Sequence, residues 1–140
     1  VDTPPYLSDQ LPTIFDHSDL VLVPCKASVF DALAIGGTLK LVKEAQDRRR
    51  QQGRPPLLAA IVINMVRNNK FVGEILDTLE AHQTHILRTK IKTRVIYERG
   101  PLLYGSVVTE KARLDDPKAY EEMVELALEV TEFLHTGGVV

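Results

Sequence analysis

Leu57-Leu58-Ala59-Ala60-Ile61-Val62-Ile63 is an unbroken apolar run of strand length that stops at Asn64. A strand with one wet face alternates apolar and polar residues. A strand apolar at every position is buried on both faces, as in a parallel sheet covered by helices. Pro55-Pro56 lies just ahead of the run and forces an extended entry into it. Upstream, Leu20-Val21-Leu22-Val23 is a second run of the same kind, opened by Asp19 and closed by Pro24. Downstream, Thr84-His85-Ile86-Leu87 predicts a third, shorter strand.

The stretches between these runs read as helices. Ser28 is a natural N-cap, and Asp31 lies in the first turn, near the positive end of the helix dipole. Phe30, Leu33, Ala34, Leu41, Val42 and Ala45 then follow helical spacing, which predicts one helix with Gly36-Gly37 as a close-packing point inside it. Arg48-Arg49-Arg50 ends that helix as solvated cations, and Gly53 stops it. Phe71, Val72, Ile75, Leu76 and Leu79 form the face of the next helix. Asp116-Pro117 starts the last one, with the stripe Tyr120, Met123, Ala127, Val130 and Leu134, and Gly137-Gly138 ends it. Residues 7–15 predict a short helix capped by Ser8 and broken by Pro12. Arg88, Lys90, Lys92 and Arg94 read as a basic loop, residues 95–104 as an amphipathic segment, and Ser106-Val107-Val108 as β-prone. Alternating strand and helix predicts the α/β class: a parallel sheet with helices on both faces.

A chain of 140 residues suffices for one domain. Its net charge of −2 argues against coating nucleic acid over the whole surface and leaves room for a local basic patch. The single Cys25 excludes an internal disulfide and reads as a buried, inert thiol. No His/Cys cluster has metal-ligand spacing, and His17, His82, His85 and His135 read as surface or loop residues. There is no Gly-x-Ser-x-Gly elbow and no Gly-x-x-x-x-Gly-Lys-Ser/Thr loop, and no apolar run is long enough to cross a membrane.

In open α/β sheets, ligands bind at the carboxyl ends of the strands. Val1-Asp2-Thr3-Pro4-Pro5 sets a carboxylate before a rigid turn, with one apolar residue ahead of it where a strand needs about five. We therefore read residues 1–140 as the downstream part of a longer protein, with Asp2 ending its first strand. A carboxylate there can order Mg²⁺ through water. An Asn amide, with two donors and an acceptor, can read a purine edge. The pattern sets Asp2, residues 24–28, Asn64 and residues 90–94 at one such edge.

Three stretches resemble the ParA/MinD family of deviant P-loop ATPases. Val1-Asp2-Thr3-Pro4-Pro5 is similar to its hydrophobic-Asp-x-Pro-Pro. Asp19 to Pro24 with Ser28-Val29-Phe30-Asp31 is similar to the strand, Pro and Ser-x-x-Asp helix entry that follow. Ile61-Val62-Ile63-Asn64 is similar to the strand whose Asn faces adenine. Thr89, Ile91, Glu98, Gly105 and Val107 give a looser fourth match. The resemblance implies a P-loop NTPase-like fold, of which this chain is the downstream part of a single domain. It implies ATP and Mg²⁺ as cofactors, with Asp2 as the catalytic Mg²⁺ organiser and Thr3, Pro4 and Asn64 binding the nucleotide. Lys90, Lys92 and Arg94 would bind DNA non-specifically. The implied protein is a cytoplasmic, nucleoid-associated partition ATPase. It works as a homodimer with a centromere-binding, ParB-like partner and does not bind membrane. The family's phosphate-binding loop lies upstream of Asp-x-Pro-Pro, so residues 1–140 alone would not hydrolyse ATP. The alternatives are a MinD-like membrane-associated ATPase, against which the acidic last helix argues, and a non-enzymatic α/β interaction module.

Overall fold

The computed structural model describes residues 1–3, 9–67 and 72–138. Ten elements follow in order: α1 (Leu11–Asp16), β1 (Leu20–Lys26), α2 (Val29–Ala34), α3 (Gly36–Gln51), β2 (Leu58–Val66), α4 (Val72–Glu80), β3 (His85–Lys92), α5 (Val95–Tyr104), α6 (Glu110–Asp115) and α7 (Pro117–His135). The strands form one parallel sheet in chain order, β1-β2-β3. This is the α/β arrangement that the apolar runs predict.

Side-chain alternation divides the core between two faces. Val23 and Cys25 of β1 and Ile61 and Ile63 of β2 point to one face, where α2, α3 and α4 bring Ala32, Leu39, Ile75 and Leu79. α1 extends that layer with Leu11 and Phe15, packed on Val42 and Ala45 of α3. Ala60, Val62, Leu87 and Ile91 point the other way, against Phe133, Val130 and Met123 of α7. β2 is central and buried on both sides. On the far side of β1, Leu20 packs against that α7 cluster, but Leu22 is 39% exposed and Pro24 is exposed beside it.

Several local expectations are corrected. Pro12 does not break α1; it sits in its first turn, where a missing N–H costs nothing. Ser8, its expected cap, lies outside the described residues, as does Phe71 of the α4 face. The helix after Ser28 is two helices, with the break at Ile35 and Gly36-Gly37 opening the second. Pro24 does not end β1, which runs to Lys26. An edge strand tolerates Pro because one side of its backbone needs no ladder bond. β2 continues past Asn64 to Val66, and the basic segment is mostly strand, since β3 runs to Lys92. Ser106-Val107-Val108 is not a strand; it leads into α6, which Thr109 caps. α7 starts as expected, with Asp116 accepting from the Ala119 N–H at 3.1 Å, and it ends before Gly137 at φ +65°.

The arginines at the end of α3 are not all solvated. Arg49 is buried and donates to the Ser18 carbonyl, and Arg48 pairs with Asp16 at 3.1 Å. They tie the end of α3 to the loop before β1. His82 bonds the Ala32 carbonyl at 3.1 Å and His85 stacks on Phe133, so both serve the packing and not the open surface.

Candidate functional site

The carboxyl ends of all three strands carry cations. Lys26 ends β1, Arg67 follows β2, and Lys92 ends β3 with Lys90 two residues before it. None of these four joins an ion pair among the described residues. Register assigns their faces. Lys90 pairs with Ile63 and Lys92 with Val66, both of which lie in the α2–α4 layer. Asn64, between them, points to the α7 side, and its ladder partner is Lys26. The structure thus brings Asn64 beside Lys26, and Lys90 beside Lys92, on opposite faces of one edge.

Asn64 sits in a distorted stretch. Between Ile63 and Val66, β2 spends three residue steps against the two from Lys90 to Lys92 on β3, so one residue is extra. Met65 has φ +54°, the left-handed region that a side chain enters at a cost of about 1–2 kcal/mol. Its N–H donates to Asn64 Oδ1 at 2.8 Å, while the Asn64 carbonyl accepts from Ala27 N–H at 3.1 Å. The strand's end is fixed on both sides of the amide.

Arg94 is placed differently from the two lysines. It is the N-cap residue of α5, and its guanidinium meets Glu122 at 2.6 Å and Asp116 at 3.6 Å. The hydrogen bond that it donates to the Glu122 carboxylate raises its pKa. Glu122 also accepts from the Lys92 N–H at 3.2 Å and the Tyr97 hydroxyl at 3.1 Å. Burial works to raise its pKa, but Arg94, Lys92 and Tyr97 together hold it below the usual range. One helical stripe further on, buried Glu129 accepts from the N–H groups of Arg88 at 2.6 Å and Thr89 at 2.9 Å. Burial opposes its charge, and these bonds still lower its pKa. Sequence reasoning read both glutamates only as part of an acidic face. Their spacing of seven, which returns a helix to the same side, was the available signal.

The remaining expected residues stand apart. Asp2 and Thr3 are exposed and lie in no strand, and no described hydrogen bond or ion pair joins them to the edge. Pro4 lies outside the described residues. Cys25 is buried, and burial pushes its thiol up to about 11, so it remains protonated and inert as expected.

Compared with protein-family models, curated proteins and solved structures, the chain matches none.

The donor set of the edge fits part of a nucleotide. Asn64 offers an oriented amide and Lys26 a cation on the same face. Among the described residues no three carboxylate, His or Cys groups gather to hold a metal, and Asp2 stands off the edge. These residues fit a base and an anionic group; they do not fit Mg²⁺.

Proposed function

We propose that this chain belongs to a ParA-like partition ATPase, in which it supplies the base-reading edge and a surface for non-specific DNA. The observation that carries the reading is the set of cations at the carboxyl ends of the parallel strands, Lys26 beside Asn64 on one face, Lys90 and Lys92 on the other and Arg67 after β2, none of them in an ion pair among the described residues. Such an edge attracts polyanions and nucleotide phosphates alike. The resemblance gives the ordering of Mg²⁺ to Asp2, which stands off this edge, and the roles proposed for the edge do not depend on it. ATP-dependent homodimers, a ParB-like partner and a P-loop NTPase-like fold come with the reading. The acidic outer side of α7, with Glu121, Glu125 and Glu132 exposed, favours the partition branch over a lipid-bound, MinD-like one.

Within this reading Lys90 and Lys92 contact DNA, and Arg94 supports them through Glu122. The test is ATP-dependent retention of the intact protein on DNA of arbitrary sequence across a salt series. Lys90→Ala with Lys92→Ala should weaken retention and lower the salt slope by about 2, the loss of two phosphate contacts. An unchanged slope in that double variant sinks the DNA assignment.

A further inference from the structure

α5 is apolar on two sides. On one, Ile96 packs with Ala112 of α6 and Ala119 of α7, and Gly100 is buried beside Val107. On another, Val95, Arg99, Leu102 and Leu103 form a second stripe, with the spacing of a helix face that is covered. Yet Val95, Leu102 and Leu103 are exposed, Leu102 by 90%, and so is Leu114 of α6. A helix apolar all round is a buried helix, and exposed apolar patches mark contact surfaces.

A cleft of about 500 Å³ runs between this side of α5 and the junction of α6 and α7. Arg99 lines it from α5, and Asp115 lines it from the junction. Neither joins an ion pair among the described residues, and Asp115 takes only the Tyr104 hydroxyl, at 3.2 Å. Arg94 lines the same cleft but is already bound to Glu122 and Asp116. The cleft thus carries one free charge of each sign, set among Val95, Ile96 and Leu103. Nucleic acid or anionic lipid would be drawn by Arg99 and repelled by Asp115.

We infer that this side of α5 is a contact between two copies of the chain, related by a two-fold axis and formed without nucleotide. A two-fold contact must be its own complement. Arg99 of each copy meets Asp115 of the other. Leu102 of each copy is the knob, and the cleft of the other is the hole that takes it. Apolar burial supplies the affinity and the two ion pairs set the register. The contact does not rest on the partition reading, whose homodimer forms on ATP, and it stands if that reading fails.

The experiment is sedimentation velocity of the intact protein without nucleotide over a concentration series, with thermal melting of each variant. The natural protein should pass from monomer to dimer as its concentration rises. Leu102→Asp changes an outward side chain, so it should melt like the natural protein and weaken the dimer roughly tenfold or more. Arg99→Asp and Asp115→Arg each set like charges across the axis and should also weaken it. The two together restore both pairs in reverse and should recover the dimer. A natural protein that stays monomeric at every concentration overturns the inference. So does a dimer that Leu102→Asp leaves unchanged, or a double variant no tighter than either single one.

Discussion

Arg94 shows how one side chain can carry two readings. By its place in the sequence it belongs to a run of cations, and by resemblance it faces DNA. By geometry it is 17% exposed and held by two carboxylates from the start of α7. Removing it leaves the largely buried Glu122 carboxylate with fewer donors, and breaking such a pair is costly. Arg94→Ala should therefore destabilise the fold by about 2–4 kcal/mol, read as a lower denaturant midpoint. Replacement of exposed Lys92 should leave the midpoint within about 0.5 kcal/mol. If Arg94→Ala melts like the natural protein, the ion cluster is not an anchor. Asn64 stood out in the sequence as a candidate because it ends an apolar run. Met65 did not, because nothing in a Met marks positive φ; that conformation comes from the bulge between β2 and β3, a relation across strands.

Among the elements, α7 and β3 are joined by bonds from strand N–H groups to helix carboxylates. β3 is an edge strand, and such a strand exposes unpaired N–H groups on its outer side. α7 supplies acceptors instead of a fourth strand: Glu129 takes the Arg88 and Thr89 N–H groups, and Glu122 takes that of Lys92. The register shift between Ile61 and Ile63 leaves Arg88 and Thr89 bulged out toward those carboxylates. Glu129→Gln has one acceptor oxygen and no charge, so it should cost about 1–3 kcal/mol. Hydrogen exchange should then quicken at Arg88 and Thr89 before it does in β2. Equal exchange in both proteins contradicts the bridging role. The extent of β3 was misread because Arg88, Lys90 and Lys92 are charged, and charge reads as loop. Lysines on an edge strand are common for the same reason that the strand is exposed. β2 and α7 were legible because burial on two faces and capping by Asp116 and Pro117 leave direct marks on the sequence, whereas β1 is apolar throughout although its Leu22 and Pro24 are exposed.

For the whole molecule, the two α7 glutamates set an acid limit. Their folded pKa values lie below the ordinary value of 4.5. A group lowered in this way adds stability that is complete above its unfolded pKa and is lost as pH falls through the folded one. The melting temperature should hold near neutral pH and drop below about pH 4.5, and Glu129→Gln should show a shallower drop. Parallel pH profiles for the two proteins contradict the assignment of Glu129 to this limit. The sheet order adds a consequence in time. Because β1, β2 and β3 stand side by side in chain order, each strand emerging from the ribosome meets a neighbour already made. α7 is synthesised after all three, and until its nineteen residues emerge and dock, the outer amides of β3 face only water or another chain. Docking of α7 is the moment at which the Arg88, Thr89 and Lys92 amides of the nascent protein stop being a template for its neighbours on the polysome.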